Sequence, residues 1–199
     1  MDTTDFEVEL ARLAAPLTPD AGVLRTLTAT MKLRTLTKGQ HLTRQGEPSQ
    51  SLYFVRSGLI RYYYLADGVE HTGQFFDEGT VIADVHALLT GGAGLQNIDA
   101  LEASVVLEIP RSALLAAFDA DHAMERCGRR WTEEGMAGSQ RRTASLLQLR
   151  PEDRYARFVA MRPALAKRVP QYLIASYLGI TPEALSRIRR RRTLASRTG

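Results

Sequence analysis

Apolar residues first recur at helical spacing in residues 19–31, where Val23, Leu24, Leu27 and Met31 fall on one face. From residue 33 to about 109 the pattern shortens to β-prone runs such as Leu52-Tyr53-Phe54-Val55, residues 59–65 and residues 105–109. Glycine-containing turns separate them: Lys38-Gly39, Gln45-Gly46-Glu47-Pro48, Ser57-Gly58, Asp67-Gly68 and Glu78-Gly79. Short strands punctuated this regularly predict an antiparallel sandwich or barrel. Asp67-Gly68 is a two-residue hairpin signal, because glycine accepts the positive φ such turns require.

Beyond Pro110 helix formers dominate. The pattern predicts a short helix over 111–118 that breaks near Asp119, then a long one over 121–149. Pro151 suits the first turn of a further helix, where its missing N–H costs little. Pro163 and Pro170 punctuate the remaining helical stretch. Along 121–149, Met124, Trp131 and Gly138 recur every seven residues, a coiled-coil-like seam that predicts a dimer interface, with Cys127 beside it. Gly128, Gly135 and Gly138 each cost about 1 kcal/mol relative to alanine in a helix, and either admit a partner helix closely or mark a bend.

Residues 170–192 read as a helix-turn-helix. Leu173, Ile174, Tyr177 and Leu178 give the first helix an apolar face, and Ala175 lies four residues before Gly179, a small residue at the crossing and a glycine at the turn. Thr181 can cap the next helix, Pro182 takes its first position, and Glu183 favours the positive end of its dipole. Leu185 and Ile188 pack inward, leaving Glu183, Ser186, Arg187 and Arg190 outward near the end that approaches base edges. An ordinary helical hairpin with a solvated basic face is the bland alternative. The run Arg189-Arg190-Arg191-Arg192 by itself reads as a solvated tail or a phosphate contact.

Charge sharpens this picture. The net charge is +4, but residues 141–199 carry 14 Lys+Arg against 3 Asp+Glu, net +11, leaving −7 on residues 1–140. An acidic sensor or assembly part followed by a basic part suited to polyphosphate fits that asymmetry, although a basic tail also suits an acidic membrane surface. No apolar run approaches the roughly 18 residues of a membrane span. The N-terminus Met1-Asp2-Thr3-Thr4-Asp5 lacks the plan of a secretory signal, and one cysteine excludes an internal disulfide framework. These features predict a cytoplasmic protein with no membrane partner.

The ordered set Lys38-Gly39-Gln40, Gln45-Gly46-Glu47-Pro48, Leu52-Tyr53-Phe54-Val55, Gly58, Asp67-Gly68 and Phe75-Phe76-x-x-Gly79 resembles the cyclic-nucleotide-binding β-roll of the CRP/FNR regulators. The stretch Val169-Pro170-Gln171-Tyr172-Leu173-Ile174-Ala175-Ser176-Tyr177-Leu178-Gly179-Ile180-Thr181 resembles a subgroup of the same family. The resemblance implies an α+β chain: a jelly-roll-like antiparallel β-roll sensor over 1–120, a dimerisation helix over 121–149 and an all-α helix-turn-helix domain over 150–199. It implies a homodimer on palindromic double-stranded DNA and an unidentified small-molecule effector; with the helix-turn-helix reading, the expected DNA contacts are Thr181, Glu183, Ser186, Arg187, Arg190 and Arg191.

The chain departs from the family's pattern in three places. The Gly-Glu pair that holds a nucleotide's ribose falls at Ala83-Asp84, and the Arg-Ser/Thr slot for its phosphate falls around Gly94-Leu95, which offers no guanidinium. These four residues outline the effector pocket and imply that cyclic AMP is not a tight ligand. Pro182 stands where the family has an arginine, while Glu183 and Arg187 match its acidic and basic base-contacting positions. The winged hairpin expected after the recognition helix has no counterpart before the sequence ends.

Competing chemistry is weaker. His41, His71 and His86 lack the His-x-His pair and ordered glutamate of a cupin-type metal site, so neither catalysis, nor a metal, nor a cofactor is expected. Arg126, Arg129 and Arg130 flank Cys127 and invite a redox reading, against the commoner one of a helix-interface thiol. In Tyr62-Tyr63-Tyr64 the middle ring faces opposite to its neighbours on a strand, which strand packing explains without an aromatic cage. The alternative function is a ligand-binding β-roll with a vestigial or non-specific DNA-binding head.

Overall fold

The computed structural model describes residue 8, residue 11 and residues 13–195, with side chains through residue 192. It packs as two compact units. One comprises the chain up to Tyr62 with Phe75–Ala137; the other comprises Tyr63–Gln74 with the chain from Gly138 on.

In the first unit, helix α1 (Ala21–Thr30) is capped at its start, where the Gly22 and Val23 amides donate to the Asp20 carboxylate. Along the chain, eight strands follow among the described residues: β1 (Lys32–Leu36), β2 (His41–Thr43), β3 (Ser51–Ser57), β4 (Ile60–Ala66), β5 (Val69–Phe76), β6 (Val81–Ile82), β7 (Asn97–Ala100) and β8 (Ser104–Pro110), with the outer parts of β4 and β5 reaching into the second unit. They form two four-stranded sheets, ordered β1-β8-β3-β6 and β2-β7-β4-β5. In the first, β8 pairs antiparallel with both β1 (Lys32 opposite Glu108) and β3 (Leu52 opposite Ile109).

Period-two alternation divides the strand side chains between two cores. Tyr53, Val55 and Val106 pack with Ile60, Ile98 and Ala100 of the second sheet inside the sandwich. Leu52 and Ile109 face the other way and pack with Leu24 and Leu27 of α1. Helix α3 (Arg111–Ala120) adds Leu114 and Ala117 to this second core. Between β6 and β7 lies helix α2 (Val85–Thr90), inside a region whose pattern predicts strands.

Helix α4 (His122–Gln148) corrects the predicted seam. Met124 is 0% exposed and Cys127 1%, both within their own chain. Met124 joins the α1–α3 core and half-buried Trp131 packs against it. A Cβ on Gly128 would come within 2.3 Å of the Phe118 ring, so this glycine admits a ring of its own chain. Of the other predicted interface residues, Gly138 is half-buried, with Arg141 Nη2 3.8 Å from where a Cβ would sit. Heptad spacing identified an apolar face, and its Met124 end packs against α1 and α3 of its own chain.

In the second unit, the rest of α4 packs with α5 (Pro151–Met161), α6 (Pro163–Arg168), α7 (Gln171–Leu178) and α8 (Pro182–Ala195). Pro151 occupies the first-turn position its sequence context predicts, and Pro163 opens α6 in the same way. The core holds Phe158, Leu165, Leu173, Ile174, Ala175, Leu185 and Ile188. Residues 63–74, the tip of the β4–β5 hairpin, belong to this unit and turn on Asp67 (φ 52°) and Gly68 (φ 76°).

Candidate nucleic-acid interface

Helix α7 ends at Gly179, whose φ of 64° lets the chain reverse, and the Gly179 and Ile180 amides donate to Ser176 and Ala175 carbonyls. Fully buried Ala175 supplies the small surface predicted at the crossing. The Thr181 Oγ1 accepts from the Ala184 amide at 3.2 Å and so caps α8. Leu185 and Ile188 anchor α8 in the core, while Thr181, Glu183, Ser186, Arg187 and Arg190 are exposed. The Glu183 backbone amide, then the Thr181 hydroxyl and the Arg187 charge, hold the Glu183 carboxyl below the usual carboxylate range. An ionised acceptor therefore stands one turn before a guanidinium on an exposed helix start.

The arginine run continues α8 rather than trailing from it. Arg191 Nη1 lies 3.8 Å from Glu152 Oε1, and the Arg192 guanidinium lies 5.9 Å from the Tyr155 ring centre.

Sequence patterns gave no sign of what supports α7. The Thr72 amide, at the hairpin tip, donates to Ser176 Oγ at 2.9 Å, and Ser176 Oγ donates to the Glu70 carbonyl at 3.1 Å. Arg142 Nη2 donates to the Thr72 carbonyl at 2.9 Å while its guanidinium stacks 4.1 Å from the Tyr177 ring centre. These partners lie 70 to 106 residues apart, beyond any local signal.

Ala83, Asp84, Gly94 and Leu95 come together in the first unit. Asp84 is 1% exposed and caps α2 through the Ala87 amide at 3.0 Å, while its other oxygen accepts from the Leu95 and Gln96 amides at 2.6 and 2.8 Å. A Cβ at Gly94 would fall 2.9 Å from that oxygen and 3.2 Å from the Glu47 carbonyl. An arginine therefore has no room at Gly94, and the protein's own carboxylate occupies the anion acceptor role at the α2 N-terminus.

Burial raises the Cys127 thiol pKa, an effect that Arg130 only partly opposes, and Sγ sits 3.7 Å from the Ala14 carbonyl. Sequence proximity to arginines suggested the opposite direction; desolvation outweighs them.

A family model for the cyclic nucleotide-binding domain matches residues 33–121. The fumarate and nitrate reduction regulatory protein of Vibrio cholerae is 26% identical over 195 residues, covering 92% of this chain and 77% of that protein. Among solved structures, FixK2 from Bradyrhizobium japonicum superposes with a TM-score of 0.76 at 22% identity, covering 84% of this chain and 86% of its own. A transcriptional regulator of the crp/fnr family from Eubacterium rectale gives 0.71 at 15% identity, covering 88% and 84%.

Proposed function

The chain belongs to the CRP/FNR family of transcription regulators, and on that premise we propose that it reads palindromic double-stranded DNA as a homodimer, through Glu183 and Arg187 of α8. The observation that carries this reading is the capped α8 start, seated by Leu185 and Ile188 with Glu183, Ser186, Arg187 and Arg190 facing solvent. Glu183 can accept from a cytosine amino group, and Arg187 can address guanine bidentately. A carboxylate repels phosphate, so its place there fits base reading better than non-specific binding. Arg191 and Arg192, further along the helix, suit phosphates.

Replacing Arg187 by alanine is expected to cost about 1–3 kcal/mol on a selected operator and to relax preference at one base pair. Removing Arg191 or Arg192 should weaken all sequences alike and lower the salt slope by about one unit. Titrations on operator and scrambled duplexes across a salt series separate the two. Equal losses on both duplexes for the Arg187 variant would remove its reading role.

The proposed regulator works in the cytoplasm and does not use cyclic AMP as its tight effector. Asp84 already serves three amides of its own chain, and Gly94-Leu95 provides none of the charge-assisted bonds a cyclic phosphate needs. Calorimetry is expected to show no submicromolar cyclic AMP binding; such affinity would overturn this part of the proposal.

A further inference from the structure

Five arginines line a cavity of about 150 Å³ wholly inside the second unit: Arg141 and Arg142 of α4, Arg154 and Arg157 of α5, and Arg162 just beyond it. No acidic residue lines it. Among the described residues, none of Arg141, Arg142, Arg154 and Arg157 forms a salt bridge with a carboxylate. Like charges gathered this way repel unless an anion joins them. Arg154 Nη1 donates to the Leu146 and Leu149 carbonyls at 3.3 and 2.8 Å, which orients the side chain, yet its Nε is buried without a partner. An orphaned buried donor on a cationic wall points to a missing acceptor.

The remaining wall is apolar and aromatic, with Leu146, Met161 and the Phe158–Tyr177 pair, whose ring centres lie 5.5 Å apart. A volume near 150 Å³ matches a benzene-sized group. None of the α8 residues assigned to DNA lines the cavity, and a concave, half-apolar wall does not match a duplex backbone. We propose that the DNA-binding unit carries its own ligand site, which takes a small phosphate monoester. The arginines hold the phosphate, and the Phe158–Tyr177 wall holds the organic group. This site is separate from the Asp84 region of the barrel. Tyr177 and Leu178 form the last turn of α7 before Gly179, so a ligand against them bears on the turn that sets α8. Ligand and DNA binding are then linked, each changing the other's affinity by the same factor.

The test uses the full chain and calorimetry with phenyl phosphate, inorganic phosphate and phenol. Phenyl phosphate should bind more tightly than inorganic phosphate, and phenol not measurably. Arg157→Gln and Arg141→Gln, both at exposed side chains, should each weaken phenyl phosphate by about tenfold to a hundredfold without lowering the melting temperature of the unliganded protein. Arg187→Ala should leave phenyl phosphate affinity unchanged while losing operator preference, so the two sites fail or stand separately. Equal affinity for phenyl phosphate and inorganic phosphate would overturn the organic-ligand reading. No binding of phenyl phosphate at millimolar concentration would overturn the site. So would an Arg157→Gln variant that lowers the salt slope of DNA binding yet keeps phenyl phosphate, since the arginines would then be DNA-backbone contacts.

Discussion

Asp84 accepts three main-chain hydrogen bonds at a nearly solvent-free position, so its carboxylate holds the α2 N-terminus to the 94–96 loop. Replacing it by alanine strands buried amide donors and removes a helix cap, a loss of about 2–4 kcal/mol. Asn at this position keeps one acceptor oxygen and should lose less. Urea unfolding of both variants checks this, and an alanine variant as stable as the parent would refute it. The site residues differ in how far they could be read from sequence for the same reason. Thr181, Leu185 and Ile188 take their roles from neighbours within one helical turn, so spacing exposed them. Asp84 depends on amides 11 and 12 residues away, and Ser176 on a carbonyl 106 away, which no periodicity encodes. Cys127 shows the converse: its charged sequence neighbours are visible, but the burial that governs the thiol is not.

At the level of elements, prolines and glycines marked most boundaries because they act locally, on their own φ and N–H. Two glycines of the same backbone class nevertheless have different expected costs. Gly68 (φ 76°) closes the β4–β5 hairpin with nothing within 4 Å of where a Cβ would sit, so alanine there meets only the positive-φ penalty, about 1–2 kcal/mol. Gly58 (φ 97°) lies between β3 and β4, and a Cβ there would fall 2.7 Å from the Ser104 Cα and 2.2 Å from its Oγ. Ser104 Oγ also accepts from the Leu59 amide at 3.2 Å, so the strand connection cannot shift without losing that bond. Gly58→Ala should therefore cost about 2–4 kcal/mol, the conformational penalty plus overpacking. Chemical denaturation of the two variants side by side measures the difference; equal costs would mean that Ser104 yields freely. Helix α2 escaped the sequence pattern because six residues, capped by Asp84, are too few for a helical period to emerge.

At the scale of the whole molecule, the proposed dimer calls for an exposed apolar surface, and the Met124 end of the heptad seam is not one. Met124 and Cys127 are consumed by their own chain, but Met136 remains 63% exposed and Leu147 81%. They lie 11 residues apart on α4, close to three full turns, and so share one helix face. Exposed Ser139 and Thr143 lie between them. Small residues between two large apolar ones suit a second copy of α4, and a two-fold axis along this face would present two α8 helices to successive half-sites. The parent protein should therefore scatter light at micromolar concentration with twice the mass of its 22.1 kDa chain. Leu147→Asp places a charge on this face without disturbing the buried core, and should return the protein to single chains. Affinity for a palindromic operator should fall by roughly 10²–10⁴ as the two heads become independent, while binding to an isolated half-site stays at the parent level. A dimeric Leu147→Asp protein with full operator affinity would show that the contact lies elsewhere.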